Sequence, residues 1–339
     1  MVSICPKKFE RWCRLNAYNV SSLSRKTGQH RNTITKFLKG EDVRPSTLED
    51  FCEKCGVEVS SFLPESDFDP PEEPFGLTEP QRWKIHHLHG PAKTAANGLS
   101  YRIATLSHRV LRGKYSRGKL YDLMDLAKDR REEIRHYLRR HPEVCGKVDP
   151  HPNIPTNYDV IPLKNDTGWW VLDQWIEGKS LEDLCVEQSG TPIDEKSLRT
   201  LGENILAGLS ALHEAGVIFR ELAPDKVWIG TDWDRIQLTD FELAKFMEGA
   251  PSVSGRWESG YFRAPEVNDH EAHPQSDLYS FAKLVVWTLQ GGNKADDATS
   301  AVASLPSGVA RSLKACLNVQ KSGRPRDANE VLKRWKKWS

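Results

Sequence analysis

Between Pro64 and Pro80 the chain reads PESDFDPPEEPFGLTEP, five prolines set among a concentration of aspartate and glutamate. A stretch of this composition cannot bury enough apolar surface to offset the entropy of ordering it. It therefore reads as a linker, and it divides the 339 residues into a modest piece, 1–63, and a larger one, 81–339. Charged and apolar fractions of 28% and 38% belong to ordinary globular protein, which excludes fibrous and wholly disordered classes. The net charge of +1 gives no global pull toward nucleic acid or membrane.

That average hides an asymmetry. Between Met1 and Lys39, Lys7, Lys8, Arg11, Arg14, Arg25, Lys26, Arg31, Lys36 and Lys39 stand against the single acid Glu10. Such a segment is attracted to phosphate. The 7 cysteines are odd in number and scattered, and MVSICPKKFERW has no apolar signal-peptide core, so a reducing, cytoplasmic setting is expected. No apolar run reaches membrane-spanning length. Cys52 and Cys55 form a C-x-x-C, but a second pair at zinc spacing is missing because Cys5 and Cys13 fall in a helical stretch. Buried structural thiols are expected there, and no zinc.

Before the linker, helical patterns follow one another with start and stop signals. One covers Pro6 to Asn16, with Phe9, Trp12, Cys13 and Leu15 inward. A second begins at Ser21 or Ser22, whose hydroxyl caps it, and stops at Gly28. A third runs from His30 to Lys39 and stops at Gly40. Ser46 opens the capping box S-T-L-E of a helix through Cys55, ended by Gly56. Five short helices, two of them joined by a tight glycine-containing turn, make a helix-turn-helix domain.

The run LSRKTGQHRNTITKFLKGE followed by RPSTLEDFCEKCGVEVSSFL resembles the Cro/repressor type of helix-turn-helix along nearly its whole length. The resemblance implies that the third helix enters the major groove with His30, Arg31, Asn32 and Thr35 as base readers, while Ile34, Phe37 and Leu38 face the core. Arginine suits guanine and asparagine suits adenine. Arg25, Lys26, Lys36 and Lys39 suit phosphates. Double-stranded DNA is the expected partner, and paired half-sites favour a homodimer on it.

After the linker, strands precede helices. Trp83 to Leu88 and Leu99 to Ser107 alternate as strands, Lys119 to Leu123 more weakly, Asp129 to Arg140 is helical, and Tyr158 to Leu163 and Gly168 to Asp173 are strand-like. Further on come ILAGLSALHEAGVIFREL, RIQLTDFELAKF, YFRAPEV, SDLYSFAKLVVWTL and GRPRDANEVLKRW. In this order they resemble the landmarks of eukaryotic-type Ser/Thr protein kinases. The fold class implied is α+β: an all-α helix-turn-helix domain followed by a bilobal, kinase-like domain. The resemblance makes Asp277 the brace beneath the catalytic loop, Arg324 the partner of Glu266, and Phe219 a ring stacked under Phe241.

Several groups that carry the chemistry depart from the family pattern. Phosphoryl transfer needs a carboxylate at the acceptor hydroxyl, metal ligands on the phosphates and a cation on the developing charge. The base position holds Glu221, whose extra methylene shifts the carboxylate by about one ångström. Ala223 replaces the loop lysine and Lys226 the loop asparagine, and an ammonium cannot ligate Mg²⁺. Asp240 remains as a metal ligand, followed by Phe241 and by Glu242 in place of glycine. Gly90 and Gly98 bound an irregular glycine loop. Lys119 and Glu133 are candidates for the small-lobe ion pair, with Lys114 and Glu132 competing. Asp173, Gln174 and Ile176 fall at the hinge, and Trp228 falls where an aliphatic residue would support adenine and so narrows any ATP pocket.

The sequence thus points to a DNA-binding regulator whose kinase-like domain is a pseudokinase that senses a nucleotide or binds a protein partner. An active Ser/Thr kinase using Glu221 with ATP and Mg²⁺ is the alternative. An adaptor that does not bind DNA is the second alternative.

Overall fold

A computed structural model describes residues 2–63, 79–95, 98–148, 150–163, 166–247, 260–269, 271–294 and 297–338. The acidic stretch from Pro64 to Thr78 lies outside them. The chain forms two compact units, one comprising Met1–Leu138 with Asp159–Leu172, the other Arg139–Tyr158 with Asp173–Ser339.

The first unit opens with four helices: α1 (Pro6–Leu15), α2 (Val20–Thr27), α3 (Arg31–Lys39) and α4 (Pro45–Cys55), followed by a 3-10 turn at Val59–Phe62. Phe9, Trp12, Phe37, Phe51 and Phe62 meet edge-on or tilted in its centre. Burying one such ring contributes roughly 1.5–3 kcal/mol, which a module this small needs. Gly28, Gly40 and Gly56 end their helices in the left-handed conformation, as the sequence required. The starts differ from expectation. Asn19, not Ser21 or Ser22, caps α2, its side chain accepting from the Ser22 amide while Ser22 bonds back. Ser46 lies inside α4, whose cap is Arg44 with no side-chain bond; Pro45 takes the first helical position, where its fixed φ suits the helix and its missing amide needs no partner.

The same unit carries most of an antiparallel sheet of β1 (Trp83–Leu88), β2 (Lys93–Thr94), β3 (Ser100–His108), β4 (Tyr115–Asp122), β5 (Asn157–Pro162) and β6 (Gly168–Gln174). Strand order is β1-β3-β4-β6-β5, with β2 paired to β3. β4 starts earlier than the Lys119 expected from alternation. Residues 116–121 are all buried, so the polar–apolar rhythm that marks a half-exposed strand is lost.

α5 (Lys128–Val148) continues eight residues past the expected end at Arg140, through Pro142. The residue before a proline disfavours helical geometry. Here the His141 side chain is held on both ring nitrogens, by Asp173 and by the Phe241 amide, so tertiary contacts override the local preference.

The second unit contains β7 (Gly178–Ser180), α6 (Leu181–Glu187), α7 (Glu195–Glu214), β8 (Val217–Ile218), β9 (Val227–Gly230), β10 (Ile236–Leu238), β11 (Lys245–Phe246), α8 (Pro274–Leu289), α9 (Ala298–Ala301), α10 (Ser307–Cys316) and α11 (Ala328–Trp335). Buried faces of α7, α8, α10 and α11 enclose its core. Gly202 lets the Trp335 ring lie directly on α7, where any Cβ would come within 2.1 Å of it. Among the described residues no helix is long and apolar enough to cross a membrane.

In the first unit the helical module docks on the sheet and on the start of α5. Gly98 permits this approach, since a Cβ there would lie 2.8 Å from Leu15 Cδ2. The Asn16 side chain donates to Trp12 O and accepts the Ala127 amide, and Arg130 Nε donates to Leu15 O. Asp122 faces this junction in a small pocket shared with Arg11, Leu15 and Leu99. Burial pushes its carboxyl up to about 6; the donating Met124 amide opposes the rise, Asp125 adds to it, and Arg11 and Arg131 oppose it.

The folded state therefore binds this proton more tightly than the unfolded chain, whose carboxyl titrates near 3.8. The resulting stability is complete below the lower value and lost as pH rises through the upper one. Asp122→Asn is expected to raise the urea midpoint at about pH 7.5, followed by tryptophan fluorescence, and to lose that advantage by about pH 4. Equal midpoints for variant and parent at the higher pH would refute this account.

Candidate functional site

On the helix-turn-helix, α3 presents its polar face outward. His30, Arg31, Asn32, Lys36 and Lys39 are exposed and Thr35 is half-buried, while Ile34 and Phe37 are buried and Leu38 is partly so. His30 is the N-cap: its Nδ1 accepts the Asn32 amide 3.2 Å away. Arg25 on α2 is exposed. Lys26 is not turned outward with it. Its ammonium contacts Tyr18 Oη and lies 2.9 Å from the Asp129 carboxylate on α5. Cys13, Cys52 and Cys55 are buried free thiols, pushed up to about 12, 12 and 11, chiefly by burial.

In the second unit the loop after β8 hangs from one buried carboxylate. Asp277 Oδ2 accepts the Phe219 amide at 2.8 Å and Oδ1 the Arg220 amide at 2.7 Å, and His213 Nε2 lies 3.0 Å from Oδ2. These bonds hold Arg220 at φ 71°, a left-handed conformation costing about 1–3 kcal/mol. Above them Phe219 packs on Phe241 with ring centroids 5.2 Å apart, and Phe241 stacks on His141 at 5.5 Å. Glu266 is gripped by Arg324 through Nη1 at 2.6 Å and Nη2 at 3.0 Å. Burial pushes the Glu266 carboxyl up, but hydrogen bonds from Arg324 and Ser276 outweigh it and hold the group below its usual range.

Around this frame the charged groups answer one another. Glu221 pairs with Arg263 Nη2 at 3.1 Å, with side chains only 10% and 8% exposed. Burial raises the Glu221 carboxyl, while Lys226 and Arg263 pull it down without cancelling the rise. Lys226 Nζ lies 2.6 Å from Asp225 Oδ2 and 3.4 Å from Asp240 Oδ2. Asp240, buried and at φ 68°, thus has an ammonium where a metal ligand set would put another oxygen. The residues present do not fit the two-metal arrangement of phosphoryl transfer, since Mg²⁺ demands oxygen donors.

Other expected nucleotide residues have structural partners. Asp173 is 1% exposed and accepts from Asn157 Nδ2 at 2.9 Å and His141 Nε2 at 2.7 Å. The Gln174 amide bonds Thr156 O. Trp228 Nε1 donates to Ile176 O at 3.2 Å, and the Trp228 ring also meets Trp175. In the first unit Lys119 lies against the Tyr101 and Tyr121 rings, 4.2 and 4.7 Å from their centroids, and Glu133 contacts Arg130 and Tyr137 on its own helix. Gly90 turns at φ 71°, and Gly98 serves the approach of Leu15.

Arg263 and His141 were missed from the sequence. The available signals were a basic residue directly before Ala-Pro-Glu, and a His and Cys four apart on one helix. His141, Cys145 and Asp173 bring their donor atoms within 4.8 Å of one another. They are poorly set for zinc: a ligating histidine donates its second nitrogen outward, whereas His141 Nδ1 accepts the Phe241 amide at 3.1 Å and leaves the ring proton on Nε2, toward Asp173.

Comparison with known proteins gives the same two folds. The family description "Protein kinase domain" matches residues 109–332, and "Cro/C1-type HTH DNA-binding domain" matches 9–61. The chain is 29% identical over 170 residues to the serine/threonine-protein kinase PAK mbt of Drosophila melanogaster, covering 50% of this chain and 25% of that protein. It is 33% identical over 125 residues to the serine/threonine-protein kinase PknL of Mycobacterium tuberculosis, covering 36% and 31%. The matches thus span about a third or less of those relatives' lengths. The solved PknI kinase domain of M. tuberculosis superposes with a TM-score of 0.58 at 16% identity, over 77% of this chain and 97% of that one, a likeness of fold.

Breaking the buried Arg324–Glu266 pair tests the frame. Arg324→Ala leaves a half-buried carboxylate without its bidentate partner and is expected to lower stability by about 3–5 kcal/mol in urea unfolding. Arg324→Lys, which keeps charge but not the fork, should fall between. A loss under about 1 kcal/mol for the alanine variant would reduce the pair to a surface contact.

Proposed function

Because this chain belongs to the protein kinase family and carries a Cro/C1-type helix-turn-helix ahead of its kinase domain, we propose that it is a DNA-binding regulator whose kinase domain acts as a scaffold and sensor rather than as a phosphoryl transferase. The division proposed is a DNA-binding domain at 1–63, a linker at 64–80 and a kinase-fold domain at 81–339. One observation carries the reading of the second domain: both carboxylates that would do chemistry are neutralised by the chain's own cations. Glu221 is held by Arg263 and Asp240 faces Lys226. An acceptor hydroxyl would have to displace a guanidinium from the base, and a divalent cation would have to displace an ammonium. Breaking such pairs at each turnover is unfavourable, whereas keeping them stabilises the loop. The indole of Trp228, bonded to the Ile176 carbonyl, is likewise held in place.

The DNA-binding half rests on the exposed side chains of α3. Arg31 and Asn32 supply base-edge chemistry, His30 and Thr35 border them, and Arg25, Lys36 and Lys39 supply phosphate contacts. Pairing of half-sites by a homodimer fits this class of motif.

A second reading, an active Ser/Thr kinase, is favoured by two facts. Asp240 is retained, and the raised carboxyl of Glu221 suits a general base better than an ordinary carboxylate does. The two relatives described above are themselves named serine/threonine-protein kinases, a family that uses ATP and Mg²⁺ in general.

Incubation of the purified chain with labelled ATP and Mg²⁺ or Mn²⁺ separates these readings. No label is expected on the chain or on generic substrates, and Glu221→Gln should still fold, at a cost in stability from leaving Arg263 without its carboxylate, and bind duplex DNA like the parent. Robust autophosphorylation that disappears in Glu221→Gln would establish the active kinase instead. On the DNA side, Asn32→Ala should cost about 1–3 kcal/mol at a preferred site and leave nonspecific binding nearly intact. Lys39→Ala should weaken all duplexes alike. Unchanged discrimination by Asn32→Ala would remove it from the reading surface.

A further inference from the structure

The docking of the helix-turn-helix engages one of its own phosphate-binding candidates. Lys26 lies in the last turn of α2, the helix that in this class of motif crosses the nucleic-acid backbone. Its ammonium contacts the Tyr18 hydroxyl and lies 2.9 Å from Asp129 Oδ2, and Tyr18 donates to the same carboxylate oxygen at 2.8 Å. The three groups close a triangle between α2, the loop after α1 and the first turn of α5. The Lys26 side chain is 25% exposed and that of Asp129 60%, so the triangle opens to solvent on the Asp129 side. The rest of the junction does not use Lys26: Asn16 receives the Ala127 amide and Arg130 bonds Leu15 O. The ammonium can leave without undocking the module.

We propose that Asp129 is an internal stand-in for a DNA phosphate, holding Lys26 against the start of α5 in the DNA-free chain and yielding it to the duplex backbone on binding. The proposal rests on the DNA-binding reading of α3 and adds a regulatory contact to it. A carboxylate and a phosphate oxygen offer an ammonium the same charge-assisted bond. Lys26 can satisfy one or the other, since its four-carbon stem carries a single ammonium between two sites. DNA occupancy and the anchoring of α5 are thereby coupled with opposite sign, and by reciprocity whatever tightens the Lys26–Asp129 contact weakens duplex binding by the same factor. α5 also carries His141, which holds Asp173 and the Phe241 amide at its other end.

The test is duplex titration of the full chain from about 50 to 200 mM salt, using the parent, Asp129→Asn, Lys26→Gln and the double variant. Asp129→Asn keeps the side-chain shape and the chance of a bond to Tyr18. It is expected to bind about three- to ten-fold more tightly at low salt, with the log–log salt slope steeper by about 0.9, one further phosphate contact. The gain should vanish in the Lys26→Gln background. Matching affinity and slope for Asp129→Asn and parent overturns the proposal while the DNA reading stands. The same gain in the Lys26→Gln background also overturns it, because removal of any negative charge would then suffice. Tyr18→Phe gives a second approach through the same triangle and should produce a smaller gain of the same kind; no change in it counts against the proposal. Absence of duplex binding by all four proteins at low salt overturns the DNA reading and the proposal with it.

Discussion

A single buried carboxylate, that of Asp277, organises the kinase-fold half of this chain. It accepts the amides of Phe219 and Arg220 and faces His213, so a loop that has no regular secondary structure of its own is fixed by backbone bonds to a helix. Unmet backbone amides in such a place would each cost about 1–3 kcal/mol. The bonds also hold Arg220 in its left-handed conformation, which orients Phe219 toward Phe241 and brings Glu221 to Arg263. The stack of Phe219, Phe241 and His141 then ties the loop to α5. Position follows from Asp277 at every step.

On the proposed reading, the frame is kept while the chemistry is not. The groups that hold the fold in this family, Asp277, Glu266 and Arg324, keep their bonds, and a phenyl ring at Phe219 serves in the stack. At the reacting positions the same buried setting is filled by ion pairs. A buried charge without a partner is expensive, so once Lys226 stands beside Asp240 and Arg263 beside Glu221, each member is stabilised by the other and removal of either is strongly unfavourable. Such pairs favour a loop that stays as it is, which is what the scaffold proposed above requires.

The helical module and the sheet share one compact unit, joined by side chains that each serve twice. Asn16 closes the end of α1 through Trp12 O and receives the Ala127 amide; Arg130 bonds Leu15 O and contacts Glu133. Ala127, from the kinase-fold half of the sequence, is counted in the core of the helical module. Helix α3 keeps its polar face outward because docking uses the other side of the module, at Leu15, Asn16, Tyr18 and Lys26. Sequence separations of more than 100 residues stand behind these contacts, so forming them costs loop-closure entropy that local contacts do not.

Local chemistry and the order of motifs were enough to recognise both folds. Glycines after Thr27, Lys39 and Cys55 stop their helices because only they enter the left-handed region without penalty. Periodicity put Ile34 and Phe37 inside, and the resemblance to protein kinases singled out Asp277, Glu266 and Arg324, which make buried or half-buried bonds in the structure. Helix starts and strand lengths were less legible. A cap is chosen among neighbouring polar residues by backbone geometry, as Asn19 was over Ser21 and Ser22, and a strand buried on both faces carries no alternation. The partners of Glu221, Lys26 and Asp173 were beyond reach of the sequence. Arg263, Asp129 and His141 lie 42, 103 and 32 residues away from them, and nothing local marks one charge as the mate of another. The sequence determined which groups the chain has to place, since residue type sets charge, donor count and backbone freedom; the tertiary structure alone decided which of them neutralise each other, because that depends on distances that only the packed chain creates.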